Sequence, residues 1–325
     1  MRRLIVSRVT WPLREPFVIS RQSYDSSEVV VVELKSGSHT GRGEAAGVDY
    51  HGETPDGLVA QIESVRAAIE AGADRSELLR LLPAGGARNA LDAALWDLEA
   101  KETGTPVWKL AGVSNRPVAS VFTIGIRSLD EYERRARELA HLPWLKIKVN
   151  DRQPFESIAA VRRGSPKARL VVDPNQAWDL RMLDELAPRL VDLRVDLLEQ
   201  PVPISVGDQL VAGRCPIPVC ADEAVNTAAD LPRVVGRYDF VNIKLDKSGG
   251  LTAALELAHA ARAAGMRLMV GCMNAGSIAM APGMVIAQLC EVVDLDGPLL
   301  QAKDWPDGIV YDNGVMAWPS PRLWG

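Results

Sequence analysis

Apolar and polar residues follow two different patterns along the chain. In the first third, two short β-branched segments predict strands at 6–11 and 28–34, and a Gly-rich stretch predicts a loop over 41–56. Apolar residues then recur at helical spacing over 58–70, 76–82 and 87–102. The first third is therefore predicted to be an α+β unit.

The middle of the chain has a regular rhythm in which short apolar, β-branched runs alternate with longer amphipathic segments. There are eight such runs, at 119–126, 145–149, 170–173, 197–200, 219–222, 240–244, 268–272 and 292–296. Nearly continuous apolar strands separated by helices are typical of a parallel sheet covered by helices. Eight such units predict an α/β fold in which the sheet closes into a barrel.

Ionisable residues end successive runs at intervals of 22 to 26 residues, which is about one strand–helix unit. They are Lys148, Asp173, Glu199, Asp222 and Lys244. In barrels of this kind the carboxyl ends of the strands carry the active site. The spacing therefore predicts that these side chains meet in one mouth.

Three of these residues, Asp173, Glu199 and Asp222, are carboxylates on three successive strands. Packed together without a cation, they would repel and raise one another's pKa. Oxygen-only ligands with room for water and substrate suit Mg²⁺, with Mn²⁺ as an alternative. The competing interpretation is a set of unrelated strand-end caps or ion pairs.

Lysines supply a second element of chemistry. Lys146 and Lys148 lie two residues apart on one strand, so both face the barrel interior, where mutual repulsion would lower a pKa and provide a base. Lys244 is four strands further on and faces them across an eight-stranded ring. This arrangement suits proton removal from one face of a carbon and return to the other. The alternative is an exposed edge strand with solvated lysines, and Lys247 is expected at the surface.

Composition narrows the class of protein. The 325 residues carry a net charge of −5, which argues against nucleic-acid binding, and no apolar run approaches the length of about 20 residues that a membrane span needs. The N-terminus has no export-signal pattern, so we expect a cytoplasmic protein. Four scattered histidines and four cysteines without a CxxC pair predict neither a zinc site nor a disulfide framework. The chemistry is left to lysines and carboxylates.

Taken together, these motifs resemble the enolase superfamily, muconate-lactonizing subgroup, whose lysine-plus-magnesium logic is a known pattern. The motifs are KxK at 146–148, DPN at 173–175, EQP at 199–201, DE at 222–223 and NIK at 242–244. The resemblance implies a modified TIM barrel, (β/α)7β, at 116–305. It also implies an α+β capping domain at 1–115 and a tail at 306–325 that returns to the cap.

Within the subgroup, the segments 16–19, 88–97, 242–250 and 271–273 are most similar to dipeptide epimerases of the L-Ala-D/L-Glu type. The resemblance implies a dipeptide substrate, Mg²⁺ on the three carboxylates, and Lys146 stabilising an enediolate. Lys148 and Lys244 would be the two acid–base groups that invert the second residue's α-carbon. The resemblance also implies a role in the recycling of cell-wall peptides, and it is compatible with a homo-oligomer.

The same resemblance assigns substrate contacts. Asp294 and Asp296 match the family's DxD, which binds the α-ammonium of the first residue, whereas a helix cap or turn is the alternative. Arg21 would clamp a glutamate carboxylate, unless it is a solvated loop residue. Met273 and Asn175 are further expected contacts, and the loop 47–53, including His51, is expected to cover the pocket.

Other reactions of the subgroup share the lysines and carboxylates. They include o-succinylbenzoate synthesis, N-succinylamino acid racemisation and cycloisomerisation. The pair Asp294 and Asp296 favours the dipeptide reaction, because the substrates of the others lack a free α-ammonium to neutralise two carboxylates. An inactive relative is disfavoured because all five strand-end lysines and carboxylates are present.

Overall fold

The computed structural model describes residues 2–325 and begins with an antiparallel sheet of three strands in the order β1-β2-β3. The strands are β1 (Arg2–Val18), β2 (Ser23–Ser36) and β3 (His39–Ala45). The helices that follow are α1 (Pro55–Ser64), α2 (Arg66–Ala71), α3 (Arg75–Leu81), α4 (Gly86–Thr103) and α5 (Val107–Leu110). We call residues 2–112 the cap.

The valine run of β2 is buried on both faces. Val30 and Val32 pack against the helices of the cap, whereas Val29 and Val31 join the core of the following barrel. A strand covered on both sides needs apolar residues at consecutive positions, which explains why the run does not alternate. The same strand therefore joins the two parts of the molecule.

The prediction of a loop over 41–56 is wrong for residues 41–45, because these residues belong to β3. A Cβ on Gly41 would lie 2.1 Å from the carbonyl oxygen of Ala94, and one on Gly43 would lie 2.0 Å from that of Ala90. The two glycines therefore allow β3 to pack directly on the backbone of α4 and do not mark a turn.

Glu44 follows these glycines and is fully buried between the cap and the barrel. Its carboxylate accepts hydrogen bonds from the indoles of Trp11 and Trp305 and from the backbone N–H of Gly276, each at 2.8 Å. Burial raises its pKa, although the hydrogen bonds oppose this effect. Glu44 thus fixes β3 of the cap to the segment that follows strand β11 (Arg267–Gly271) of the barrel.

Eight parallel strands pair in chain order and form the barrel, and each overlaps one of the eight predicted runs. They are β5 (Phe122–Ile124), β6 (Trp144–Lys148), β7 (Arg169–Asp173), β8 (Val195–Glu199), β9 (Val219–Ala221), β10 (Phe240–Lys244), β11 (Arg267–Gly271) and β12 (Val292–Val293). A backbone hydrogen bond of 2.8 Å from Val121 to Val293 links the first edge to the last. The α/β barrel prediction is confirmed.

Helices cover the outside of this sheet. They are α6 (Leu129–Glu138), α7 (Pro154–Gly164), α8 (Leu180–Asp192), α9 (Leu231–Val234), α10 (Leu245–Ser248), α11 (Leu251–Ala263), α12 (Ser277–Ala287) and α13 (Gly297–Leu300). A 3-10 turn at Ile204–Gln209 replaces the helix after β8. Among residues 2–325, no helix is long and apolar enough to cross a membrane.

The barrel interior is apolar at one end. Side chains at or near the amino ends of the strands form one cluster, which includes Trp144, Val171, Leu197, Phe240 and Met269. This layer closes the amino-terminal end of the barrel and leaves the opposite end to polar side chains. The strand-end residues predicted from the sequence all lie at that opposite end.

The C-terminal segment forms the hairpin β13 (Tyr311–Asp312) and β14 (Val315–Met316), which pairs with β4 (Val118–Ala119). Its last residues then reach the cap: the indole of Trp324 donates to the carbonyl of Ala93 at 3.0 Å, and the N–H of Gly325 donates to Asp97 at 2.8 Å. The domain boundaries at 115 and 305 stay a prediction.

Gly43→Ala should lower the free energy of unfolding by about 1–3 kcal/mol, since the new methyl group overlaps the backbone of α4. Gly57→Ala in α1 is the control. Its Cβ meets only the Thr54 hydroxyl at 3.3 Å, and alanine favours a helix. Urea unfolding of both variants checks this, and equal stability of the two would contradict the packing role of Gly43.

Candidate active site

The carboxyl ends of the barrel strands bring the six predicted catalytic and metal residues into one buried cluster. Lys146 and Lys148 point inward from β6, Asp173 ends β7, and Glu199 ends β8. Asp222 follows β9 and Lys244 ends β10. All six are at most 8% exposed, so each charge must find a partner within the cluster.

Two lysines each hold one carboxylate. The ammonium of Lys148 lies 2.6 Å from Asp173 Oδ2 and donates to Asn175 Oδ1 at 3.0 Å. The ammonium of Lys244 lies 2.7 Å from Asp222 Oδ2. Asn175 therefore contacts Lys148 directly, in addition to lining the cavity described below.

Lys146 sits deeper, among three carboxylates. Its ammonium lies 2.7 Å from Glu199 Oε2, 2.7 Å from Asp294 Oδ2 and 3.1 Å from Asp173 Oδ2. Glu199 Oε2 has this charged neighbour but no hydrogen-bond donor. Lys146 donates a hydrogen bond to Asp294 and is held at Glu199 by charge alone.

The prediction that Lys146 and Lys148 repel each other and so lower a lysine pKa is wrong for Lys146, and Lys244 behaves in the same way as Lys146. Burial alone would lower the pKa of each, but the surrounding carboxylates outweigh burial and raise both pKa values well above the usual range. The prediction counted repulsion between lysines and omitted the nearer opposite charges. Both side chains are ammonium ions in this arrangement.

The carboxylates have diverging pKa values. Burial opposes the ionisation of Asp173, but Lys148 and Lys146 outweigh it and lower its pKa to about 2. Burial and the charge of Asp173 raise the pKa of Glu199 to about 8. Glu199 is thus the carboxylate whose negative charge is least compensated, and an added cation would stabilise it most.

The three carboxylates do not form a preformed metal cage, since no group of three potential ligands converges within residues 2–325. Lysine ammoniums lie between them. Asn242 donates to Glu199 Oε1 at 2.9 Å and leaves Oε2 without a hydrogen bond. The three side chains offer only oxygen ligands, and Glu199 Oε2 has no hydrogen bond. These features fit a hard divalent cation that displaces the lysines.

The prediction of Lys247 at the surface is wrong. Its side chain is fully buried, and its ammonium lies 2.6 Å from Asp222 Oδ1 and donates to the carbonyls of Val225 and Asn242 at 2.9 and 3.2 Å. The two oxygens of Asp222 therefore face different lysines. Lys247 binds the loop after β9 to the end of β10.

Two residues that the sequence motifs contain but whose roles were not predicted help to hold the carboxylates. Gln200 accepts a hydrogen bond from the N–H of Asp222 at 3.0 Å, and Asn242 orients Glu199 as described above. Gln200 has a φ of 35° and Asn175 a φ of 47°, a strained region for residues other than glycine. Gln200 belongs to the EQP motif and Asn242 to the NIK motif, so these motifs could have indicated both residues.

Asp294 and Asp296 follow β12 and line a small extension of the main cavity with a volume of about 70 Å³. Asp296 accepts a hydrogen bond of 2.6 Å from the N–H of Thr123, and Asp294 contacts Lys146. Burial and the neighbouring Asp294 raise the pKa of Asp296 to about 7. A cation in this extension would therefore be favoured.

The main cavity has a volume of about 520 Å³ and lies between the barrel mouth and the cap. Met273, Lys148 and Lys244 line both this cavity and its extension. Arg21 lines the main cavity, where its guanidinium lies 2.7 Å from Glu223 and 5.1 Å from the ring of Tyr50. Four residues of the loop 47–53 line this cavity, namely Gly47, Asp49, Tyr50 and Glu53, whereas His51 is exposed and does not line it. That this loop covers the pocket stays a prediction.

The barrel, its cap and the strand-end lysines and carboxylates define the class of the protein. Residues 1–112 match the mandelate racemase/muconate lactonizing enzyme N-terminal domain, and residues 130–320 match the enolase C-terminal domain-like family. The chain belongs to this family of the enolase superfamily. The prediction of an isomerase of the racemase and epimerase type is confirmed.

Individual relatives narrow the comparison. The chain is 40% identical to the L-Ala-D/L-Glu epimerase of Escherichia coli K12, over 97% of this chain and 99% of that protein. It is also 40% identical to the N-acetyl-D-glutamate racemase of a Pseudoalteromonas species, over 77% and 79% of the two chains. The two relatives act on different glutamate derivatives.

Solved structures agree with the fold. An enolase family member from Agrobacterium tumefaciens with homology to dipeptide epimerases, with bound sodium and L-Ala-L-Glu, matches with a TM-score of 0.96 and 36% identity over all of both chains. The dipeptide epimerase of Methylococcus capsulatus, complexed with Mg and L-Arg-D-Lys, matches with a TM-score of 0.92 and 30% identity. That match covers 99% of this chain and 98% of the other.

Lys247→Met should lower the free energy of unfolding by about 3–5 kcal/mol, because it leaves Asp222 Oδ1 and several buried carbonyls without a donor. Lys35→Met is the control, since the pair of Lys35 and Glu33 is exposed at 3.8 Å and contributes at most about 1 kcal/mol. Chemical unfolding of both variants measures the difference. A Lys247→Met protein as stable as the control would contradict the buried role.

Proposed function

We propose that the chain is a dipeptide epimerase of the L-Ala-D/L-Glu type that inverts the α-carbon of the second residue. The observation that carries the proposal is that Lys148 and Lys244 end β6 and β10, which face each other in a ring of eight strands, and line the same cavity. The relative from Escherichia coli supports this substrate class. We further propose that it acts in the cytoplasmic recycling of cell-wall peptides.

Two lysines on opposite sides of one carbon can exchange its proton with inversion. One amine removes the α-proton, and the opposite ammonium returns a proton to the other face. The roles reverse with the isomer that binds. Each lysine must therefore leave its present carboxylate, Asp173 or Asp222, when the substrate is in place.

Lys146 has a separate role in the proposal. As the α-proton leaves, negative charge grows on the terminal carboxylate of the dipeptide, and a buried ammonium stabilises that charge more strongly than water would. Its pKa, raised by three carboxylates, suits a group that keeps its proton throughout. Lys146 is thus an electrostatic residue and not a base.

Asp173, Glu199 and Asp222 would hold Mg²⁺, since their oxygen-only donor set suits a hard cation. When bound there, Mg²⁺ would supply positive charge to the substrate carboxylate and replace the lysines as the partner of these side chains. The Methylococcus capsulatus relative, complexed with Mg and a dipeptide, supports this choice of cation.

Asp294 and Asp296 would bind the free α-ammonium of the first residue in the small extension, with Met273 beside the peptide. Arg21 would pair with a carboxylate on the second side chain, and Asn175 would keep Lys148 in reach of the α-carbon. The dipeptide would then lie along the main cavity and its extension, which share several lining residues.

Replacing either base should separate proton exchange from inversion. Lys148→Ala and Lys244→Ala should each lose epimerisation by about 10²–10⁴-fold, while each still exchanges the α-proton of one isomer, a different one for each variant. Mass spectrometry of L-Ala-L-Glu and L-Ala-D-Glu after incubation in D₂O measures this.

Wild-type protein treated with EDTA is the control for that experiment, and it should exchange neither isomer until Mg²⁺ is restored. Epimerisation at the wild-type rate by either alanine variant would rule out the two-lysine scheme.

A second candidate, racemisation of N-acylated glutamate, is favoured by the Pseudoalteromonas relative. The two functions differ in one group, because an N-acyl amino acid has no ammonium to neutralise Asp294 and Asp296.

We expect kcat/KM for L-Ala-L-Glu to exceed that for N-acetyl-L-glutamate by more than about a hundredfold, because the buried carboxylates would stay uncompensated with the second substrate. Asp296→Asn should narrow this ratio. Polarimetry on both substrates gives the ratio directly, and a preference for N-acetyl-L-glutamate would establish the second candidate instead.

A further inference from the structure

Tyr50 carries a hydroxyl group that the protein itself does not use. The residue lies in the loop 47–53, and its hydroxyl oxygen is buried without any hydrogen-bond partner. The side chain lines the main cavity. Burying a hydroxyl without a partner costs free energy, and phenylalanine would fill the same space without that cost.

Hydrogen bonds donated by the backbone fix the start of the loop that contains Tyr50. The N–H of Gly47 donates to Asp246 at 2.8 Å, and the N–H of Val48 donates to Glu53 at 2.7 Å. Asp246 lies two residues after Lys244, so the loop is tied to the end of the strand that carries a proposed base. The loop that carries Tyr50 therefore has a defined position relative to the end of β10.

The surroundings of Tyr50 show which part of a substrate it faces. Its ring stacks against the guanidinium of Arg21 at 5.1 Å, and charges on Lys244, Asp222 and Glu223 act on its phenol group. Tyr50, Arg21 and Lys244 all line the main cavity. A substrate side chain that extends from an α-carbon beside Lys244 toward Arg21 would therefore share this cavity with the hydroxyl of Tyr50.

From this position we infer that Tyr50 is a specificity-determining residue whose hydroxyl donates a hydrogen bond to the polar end of the second residue's side chain. The inference rests on the proposed function, since that function supplies the second residue. One guanidinium nitrogen of Arg21 is engaged by Glu223, so Tyr50 provides an additional donor for a glutamate carboxylate. The pair would recognise a carboxylate better than either residue alone.

The test compares wild type with Tyr50→Phe on L-Ala-L-Glu, L-Ala-L-Gln and L-Ala-L-Leu. We expect the KM for the glutamate dipeptide to rise about tenfold with kcat nearly unchanged, a smaller rise for glutamine, and a change below twofold for leucine. The ligand-free variant should unfold at the same or a higher temperature, because the hydroxyl has no partner to lose.

Tyr24→Phe is the matched control, since the hydroxyl of Tyr24 already donates to Asp49 at 2.6 Å. It should leave the ratio of glutamate to leucine turnover within twofold of wild type. An equal loss for all three dipeptides on Tyr50→Phe, or an unchanged KM for the glutamate dipeptide, would overturn the role of Tyr50 alone. Absence of wild-type turnover on every dipeptide would overturn the proposed function and this inference with it.

Discussion

The rest of the site depends on opposite charges that are packed together and buried in the barrel mouth. A buried ion is costly unless a partner compensates it, so Lys146, Lys148 and Lys244 each lie against carboxylates from other strands of the barrel. The apolar layer at the other end of the barrel keeps water out from below. A cation that displaces a lysine from its carboxylate must therefore neutralise that carboxylate in turn, and the substrate must provide a new partner for the lysine. In the proposed reaction this exchange is what would free Lys148 and Lys244 to move protons.

The cap completes the site. Arg21 and Tyr50 belong to the cap and line the cavity. The cap is held on the barrel by β2, whose two faces are both buried, and by Glu44 of β3, which accepts a hydrogen bond from the N–H of Gly276. Each of these contacts is buried, so the cap has a defined position over the mouth. Recognition of the substrate side chain by the cap and proton transfer by the barrel therefore depend on the same interface.

Much of this could be predicted from the sequence, because β-branched runs and a regular interval between charged residues are local signals. The eight strands and the meeting of Asp173, Glu199 and Asp222 in one mouth followed from them. Partners remote in sequence could not be predicted in this way. Gly43 was interpreted as part of a loop because its contact with α4 is not visible in the linear pattern. Lys247 was expected at the surface because its buried acceptors lie 22 and 25 residues away.

The central claim is that Lys148 and Lys244 act on opposite faces of one α-carbon. A crystal structure with Mg²⁺ and L-Ala-L-Glu tests it most directly. The account predicts that the two ammonium groups leave Asp173 and Asp222 and approach the α-carbon of glutamate from opposite sides, with the alanine ammonium on Asp294 and Asp296. A dipeptide bound with both lysines on one side of that carbon, or with both still paired to their carboxylates, would contradict it.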